Sequence, residues 1–210
     1  MDGDAPRSGG ELLQRRQAER ATMDFLISTE RLGIRSLESA DAEAMFAYRS
    51  DPAISRYQSW EPVSVAEVRE FISGLEEIEL AAPGRWYQLG IALRDSGELV
   101  GDVGIHAQGE DPRQVEVGIT LAKAFHGRGF ATEALRAVLA YLFRDLGKHR
   151  VFASVDPRNE ASIALLERSG MRREAHLVES LWFKGAWADD VIYAMLYREF
   201  ELLQAGGKIG

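Results

Sequence analysis

The chain has 210 residues, 46% of them hydrophobic and 28% charged, and a formal net charge of −8. This length suits one compact domain, and the acidic balance argues against nucleic acid as a partner while favouring a cationic ligand. The absence of cysteine excludes disulfides, thiol nucleophiles and thiolate metal sites, and the four histidines lack the paired spacing of a zinc helix, so we expect no metal.

The first 22 residues differ in pattern from the remainder of the chain. They are polar and lack the basic-then-apolar order of a secretory signal, and no apolar run in the chain approaches the roughly 20 residues of a membrane span. We therefore expect a cytoplasmic protein without a membrane partner. The segment is either a disordered extension or a helix from about Glu11 to Ala21 that packs on a partner.

Patterning typical of a folded domain starts near Met23 and predicts one domain over 23–200, followed by a tail over 201–210. Alternation in "RLGIRSL" predicts a strand, and "ADAEAMFAYRS" predicts a helix. Ser64 and Glu67 stand at the spacing of a capping box, which predicts the start of a second helix. Three strands come next, "WYQLGIAL", "ELVGDVGIHA" and "QVEVGITL".

The second half alternates helices and strands. Apolar residues at helical spacing predict a helix from Ala131 to Gly147, and the strand "RVFASV" comes after it. Asn159 is placed to cap a short helix that Gly170 ends, and "EAHLVESLWF" and "DVIYAMLY" close the chain as two strands. The order predicts an α/β (α+β) domain with a mixed, mostly antiparallel central sheet and helices on both faces.

The stretch "AFHGRGFATEAL" joins a strand to a helix through two glycines and an arginine. Free amides and the dipole at a helix start attract anions, and glycines at 127 and 129 let the backbone approach a ligand closely. The pattern lacks the Gly-Lys-Ser/Thr ending of a P-loop and the last glycine of a dinucleotide fingerprint. A phosphate cradle and a plain tight turn both remain open at this point.

His126-Gly127-Arg128-Gly129-Phe130-Ala131 resembles the acyl-CoA loop of the GNAT superfamily of N-acetyltransferases, with His126 departing from the usual first residue. "DPRNEASIALLERSGMRREA" is similar to the second CoA-side segment, with Met171 in place of the usual Phe. "TERLGIRSL" and "DDVIYAML" are similar to the branch that acetylates N-termini of ribosomal proteins. The resemblance spans about residues 28–200 and implies a single GNAT-like domain.

The resemblance implies acetyl-CoA as co-substrate. The loop would bind its pyrophosphate, the strand before the loop would pair with the pantetheine arm, and Asn159 would either bond that arm or serve only as a helix cap. The implied cofactor-binding residues are Ile119, Thr120, Leu121, His126, Gly127, Arg128, Gly129, Phe130, Ala131, Thr132 and Asn159.

The resemblance also implies a general base and a general acid. Glu116, in the strand before the loop, would deprotonate the amine, although an outward-facing strand carboxylate is the alternative. Relatives often use a tyrosine to protonate the thiolate, but Leu166 occupies that position. Ser162 is the substitute we expect, whereas Tyr193 fits the core better. A cleft should open where the Glu116 strand parts from its neighbour.

For the acceptor, the loop from Tyr48 to Pro62 and the closing hairpin are the variable parts. Tyr57, Trp60 and Glu179 are the predicted contacts, with ordinary core or loop packing as the alternative for the aromatics. We expect a peptide N-terminus or a small-molecule amine, and the closing hairpin could pair with a second copy as a homodimer. A non-catalytic acyl-CoA-binding module and a nucleotide-binding protein are the alternative functions.

Overall fold

The computed structural model describes residues 24–206. The predicted extension over 1–22, with its alternative helix from Glu11 to Ala21, lies outside the described residues. Within the described part, no helix is long and apolar enough to cross a membrane.

One sheet of eight strands organises the fold, in the spatial order β1-β2-β3-β4-β5-β6-β8-β7. Its strands are β1 (Ile27–Ser28), β2 (Leu32–Ser36), β3 (Trp86–Leu93), β4 (Leu99–Ala107), β5 (Gln114–Leu121), β6 (Arg150–Val155), β7 (Arg172–Phe183) and β8 (Ala186–Leu196). Neighbouring strands are antiparallel at every junction of this sheet except β5–β6, which is parallel. The mixed, mostly antiparallel sheet is confirmed.

Six α-helices pack around the sheet in the described residues. They are α1 (Ala42–Arg49), α2 (Pro52–Ser55), α3 (Val65–Leu75), α4 (Phe130–Ala140), α5 (Glu160–Arg168) and α6 (Tyr197–Ala205). Apolar residues of α4, α5 and α6 join the strands in one buried cluster, and those of α1 and α3 form a second. Helices therefore cover both faces, as the sequence predicts.

The predicted helix starts are confirmed with one change at α3. Ser64 accepts a hydrogen bond from the Glu67 amide, as expected for a helix cap. The Glu67 carboxylate does not complete the box, because it instead accepts bonds from the Val63 amide and from the Trp60 indole. At the far end of α4 the chain continues as a π-helical turn and ends near Gly147, whose φ is +59°.

The second face of the sheet is tied to α1 through a buried carboxylate. Asp102 on β4 is fully buried and accepts hydrogen bonds from Tyr48 (2.7 Å) and Arg49 on α1 and from Gln88 on β3. A buried carboxylate is stable only when it is paired and hydrogen-bonded, as it is here. This network fixes the helix that leads into the segment from Pro52 to Glu61.

The chain does not end its folded part at residue 200. Helix α6 runs across that predicted boundary, and Phe200 is 1% exposed and packs on Phe143 with ring centroids 5.2 Å apart. The short helix α2 and the strand β1 are also absent from the sequence prediction, because each is too short to show a periodic pattern.

Candidate active site

A cleft opens between the two parallel strands. β5 and β6 pair only over three positions, Gln114 with Arg150, Val115 with Val151 and Glu116 with Phe152. Beyond Glu116, β5 stays paired with β4 while β6 stays paired with β8, so the two strands separate. The backbone of β5 after Glu116 therefore presents an open strand edge to the cleft. The opening lies where the sequence predicts it.

The cleft contains two adjoining chambers of about 590 and 660 Å³. Both are bounded by the segment after α1, by β5 and by α5. Their shared lining residues are Tyr57, Gln58, Ile119, Asn159, Ser162 and Leu165.

One chamber, which we call the loop chamber, is built on the turn between β5 and α4. Gly127 and Gly129 adopt φ values of +72° and +80°, a conformation that other residues rarely take, and Phe130 begins the helix. The predicted cofactor residues that line it are Ile119, Thr120, Leu121, His126, Gly127, Gly129, Phe130, Ala131, Thr132 and Asn159.

Two side chains of the turn serve the turn itself. The His126 Nε2 atom lies 2.9 Å from the Leu121 carbonyl oxygen, which ties the turn to the end of β5. The Arg128 guanidinium stacks over the rings of Phe125 and Phe130 and is outside the chamber lining, in contrast to the contact predicted for it. Of the predicted loop residues, Arg128 alone is not brought to the chamber wall.

The other chamber, which we call the acidic chamber, lies on the Glu116 side of the cleft. Its charged lining residues are Glu116, Asp156, Asp189, Asp190 and Lys184. The charged lining of the loop chamber is basic: Arg56, Lys123 and Arg168. The cleft is therefore polarised along its length, with cationic residues in the loop chamber and anionic residues around Glu116.

Glu116 stands at the point where the strands part. Burial, and secondarily the nearby Asp190 carboxylate, raise the pKa of Glu116 above its ordinary value of 4.5. The His106 Nδ1 atom, opposite on β4, lies 4.0 Å from the Glu116 carboxylate, and the Trp86 ring stacks on His106. The side chain of Asp190 accepts a hydrogen bond of 2.7 Å from Ser154. A carboxylate with a raised pKa beside a cavity is suited to proton transfer.

Helix α5 forms the wall shared by the chambers. The Asn159 side chain accepts a hydrogen bond from the Ser162 amide, so it caps the helix and lines the cleft at the same time. Ser162 faces both chambers, and Leu166 lines the acidic chamber with an apolar surface. Tyr193 is buried and donates to Glu167, outside the cleft lining, as its predicted core role requires.

The segment from Pro52 to Glu61 crosses over the cleft. The Tyr57 hydroxyl donates to the Arg158 carbonyl oxygen (3.1 Å), and the Lys184 ammonium bonds the Ser55 carbonyl (2.9 Å) and the Glu61 carboxylate (3.0 Å). Tyr57 thus lines both chambers, where the sequence predicts an acceptor contact.

The structure does not bring Trp60 and Glu179 to the cleft. Trp60 turns toward α3, where its indole donates to Glu67 and its ring lies 4.5 Å from that of Phe71. Glu179 sits in a bulge of β7 with φ +46°, and its amide donates to Asp189. Glu179 was predicted from its place in the closing hairpin, but the bulge leaves it outside the lining of both chambers.

Several lining residues were missed by sequence reasoning. Trp86, Asp189 and Asp190 all line the acidic chamber. Trp86 reaches the site because it pairs with His106 on β4, which in turn pairs with Glu116. Cross-strand register of this kind leaves no local signal in the sequence.

Comparison with known proteins places these features in a family. The acetyltransferase (GNAT) domain model matches residues 31–172. An uncharacterized N-acetyltransferase p20 of Bacillus licheniformis is 30% identical, over 82% of this chain and 96% of its own length. The [ribosomal protein uS5]-alanine N-acetyltransferase of Escherichia coli is 27% identical, over 80% of this chain and 89% of its own.

One similar solved structure contains coenzyme A as a disulfide. Mycobacterium smegmatis RimJ in complex with CoA-disulfide superposes with a TM-score of 0.69 and 26% identity, covering 84% of this chain and 90% of that one. The open β5 edge, the positive-φ glycines and the cationic lining fit a ligand with phosphates and an amide-bearing arm. The chain belongs to the GNAT acetyltransferases, with similarity to those that act on ribosomal proteins, and is an acetyl-CoA-dependent acyltransferase.

Proposed function

We propose that this protein moves the acetyl group of acetyl-CoA to a cationic primary amine, a peptide N-terminus or a small-molecule amine, by direct attack in a ternary complex. The observation that carries the proposal is the charge polarity of the cleft. Arg56, Lys123 and Arg168 line the loop chamber, and four carboxylates with one lysine line the acidic chamber. A polyanionic donor and a cationic acceptor therefore each find opposite charge.

The loop chamber would hold the donor. The Gly127–Ala131 backbone would face its phosphates, and the β5 edge from Ile119 to Leu121 would offer peptide groups to the arm. Bound acetyl-CoA supplies an activated acyl carbon as a thioester. Ser162, on the shared wall, is the hydroxyl we assign to proton donation at the sulfur end of the reaction.

The acidic chamber would hold the acceptor. The Glu116 carboxylate accepts the proton of the ammonium group, directly or through water, and its raised pKa makes it a better base than an exposed carboxylate. Asp190 contributes negative charge beside it. Trp86 and Trp182 form an apolar rim, 44% and 61% exposed, that can contact the part of the acceptor next to its amine. The relative that acts on an alanine of ribosomal protein uS5 supports a peptide N-terminus among the acceptors.

The test is a panel of peptides and small amines incubated with acetyl-CoA and read by mass. With a true acceptor, Glu116→Gln should lower turnover at neutral pH by about 10²–10⁴-fold. The loss should shrink as pH rises because more of the amine is already neutral, whereas Ser162→Ala should slow turnover without this rescue. Glu98→Gln, an exposed carboxylate in a turn, is the control. Full turnover of Glu116→Gln across the pH range would rule out its role as the base.

A further inference from the structure

The side chain of Arg31, which lines neither chamber, is hydrogen-bonded to the glycine turn. Arg31, next to β2, donates from its guanidinium to the Arg128 carbonyl oxygen at 3.0 Å. The same guanidinium donates to the Glu133 carboxylate at 2.7 Å through Nε and lies 2.6 Å from it through a second nitrogen. It also lies 4.5 Å from the centroid of the Phe130 ring.

The bond to Arg128 fixes the direction of one peptide group. The Arg128 carbonyl and the Gly129 N–H belong to the same trans peptide, so the two groups point in opposite directions. With the carbonyl held toward Arg31, the Gly129 N–H turns to the other side of the turn, where Gly129 lines the loop chamber. A Cβ at Gly129 would lie 3.4 Å from the guanidinium, so the two residues are in contact.

The charge of the Glu133 carboxylate is compensated by the same arginine. Glu133 lies in the first turn of α4, where a negative charge favours the helix but repels an anion bound at its start. Burial by itself would raise the pKa of Glu133. Hydrogen bonds from Thr29 and Arg31 outweigh burial and lower the pKa, so the carboxylate stays ionised. Arg31 thus compensates a carboxylate that stands beside the turn.

We propose that Arg31 is a positioning residue for the donor: it holds the peptide after Arg128 with its amide toward the loop chamber and cancels the charge of Glu133 there. The inference rests on the proposed function for the identity of the ligand. The role of Arg31 in the turn is argued independently of the ligand, from its contacts with Arg128, Gly129 and Glu133.

The experiment measures CoA affinity by calorimetry and amide hydrogen exchange of residues 127–129 in the CoA-free protein. Arg31→Met should weaken CoA binding by about 10- to 100-fold, since a charge-assisted hydrogen bond and a charge compensation are lost together. Exchange at the turn should become faster while the melting temperature changes little. Arg31→Lys should recover only part of the affinity, because an ammonium lacks the fork that bonds both acceptors.

Glu133→Gln in the Arg31→Met background separates the two effects. It should regain part of the CoA affinity by removing the uncompensated charge, yet leave the exchange fast. Arg94→Met is the matched control, because Arg94 bonds the Thr29 carbonyl of the same segment without contacting the turn. It should leave both readouts unchanged.

Unchanged CoA affinity and unchanged exchange in Arg31→Met would overturn the inference, as would an equal effect of Arg94→Met. If the parent protein binds no CoA, the proposed function fails, whereas the exchange comparison still decides the role of Arg31.

Discussion

At the scale of single residues, the fold places Glu116 where burial disfavours the ionised form of its carboxylate. Burial and the Asp190 carboxylate both raise its pKa, so the folded protein binds this proton more tightly than the unfolded chain does. The stability contributed by the protonated form is complete below the ordinary pKa of 4.5 and is lost as pH rises through the raised value. Such a conflict is typical of functional carboxylates.

Glu116→Gln should therefore stabilise the protein more at neutral pH than in acid. The variant has no charge to desolvate, so its melting temperature relative to the parent should increase as pH rises above about 4.5. Melting curves from pH 4 to 8 measure this, with Glu98→Gln as control. A difference that does not vary with pH would contradict the raised pKa.

Gly129 combines a conformational and an electrostatic requirement. Its φ of +80° is one that other residues rarely adopt, and Gly129 lines the loop chamber. Gly129→Asp should weaken CoA binding by at least tenfold, equivalent to about 1.4 kcal/mol, because it strains the turn and brings a carboxylate to the Arg31 guanidinium that bonds the Arg128 carbonyl. Calorimetry measures the affinity.

Gly147→Asp is the matched control for backbone strain. Gly147 has φ +59° with open space around it, and it lies outside the cleft lining. The control should lose some stability but keep its CoA affinity. Equal CoA affinity in the Gly129 and Gly147 variants would remove the turn from the donor site.

At the scale of elements, the terminal helix α6 is part of the core rather than a tail. Phe200→Ala should lower the free energy of unfolding by about 3–5 kcal/mol, since it empties a fully buried aromatic site. Leu202→Ala, on the same helix but 72% exposed, should change it by less than about 0.5 kcal/mol. Urea unfolding compares the two. Equal effects would mean that α6 does not pack on the sheet.

The segment from Pro52 to Glu61 is held over the cleft by contacts with several other elements. The Asp102 network anchors α1, and the chain then crosses from α1 to bonds with Arg158 and Lys184 on the far side. The segment is thus held at both sides of the opening. Its position encloses the region between the chambers, where donor and acceptor would meet.

At the scale of the whole molecule, we propose that the functional domain begins near Met23. Deleting residues 1–22 should leave the melting temperature and CoA affinity nearly unchanged, because the described fold completes its core and cleft without them. A sizing column run in parallel tests for self-association. A fall of many degrees in melting temperature, or the loss of an oligomer, would show that the segment packs on the domain.

The sequence by itself determined those features that are set by neighbouring residues. The strands Trp86–Leu93 and Leu99–Ala107 are predicted by the hairpin signal between them, and the caps at Ser64 and Asn159 are predicted by local hydrogen bonding. The turn at Gly127 and Gly129 is recognisable because its conformation favours glycine. The parting of the Glu116 strand also agrees with the structure, but that expectation came from family resemblance.

Tertiary structure decided the rest, because it depends on register between distant segments. Trp86 reaches Glu116 only through pairing across β3, β4 and β5, and Arg31 reaches Glu133 across about a hundred residues. Trp60 was predicted to contact the acceptor, but its indole instead donates a hydrogen bond to a side chain of α3. The sequence pattern around a residue indicates whether its side chain will be buried. The partner that the side chain packs against depends on the packing free energy of the whole fold.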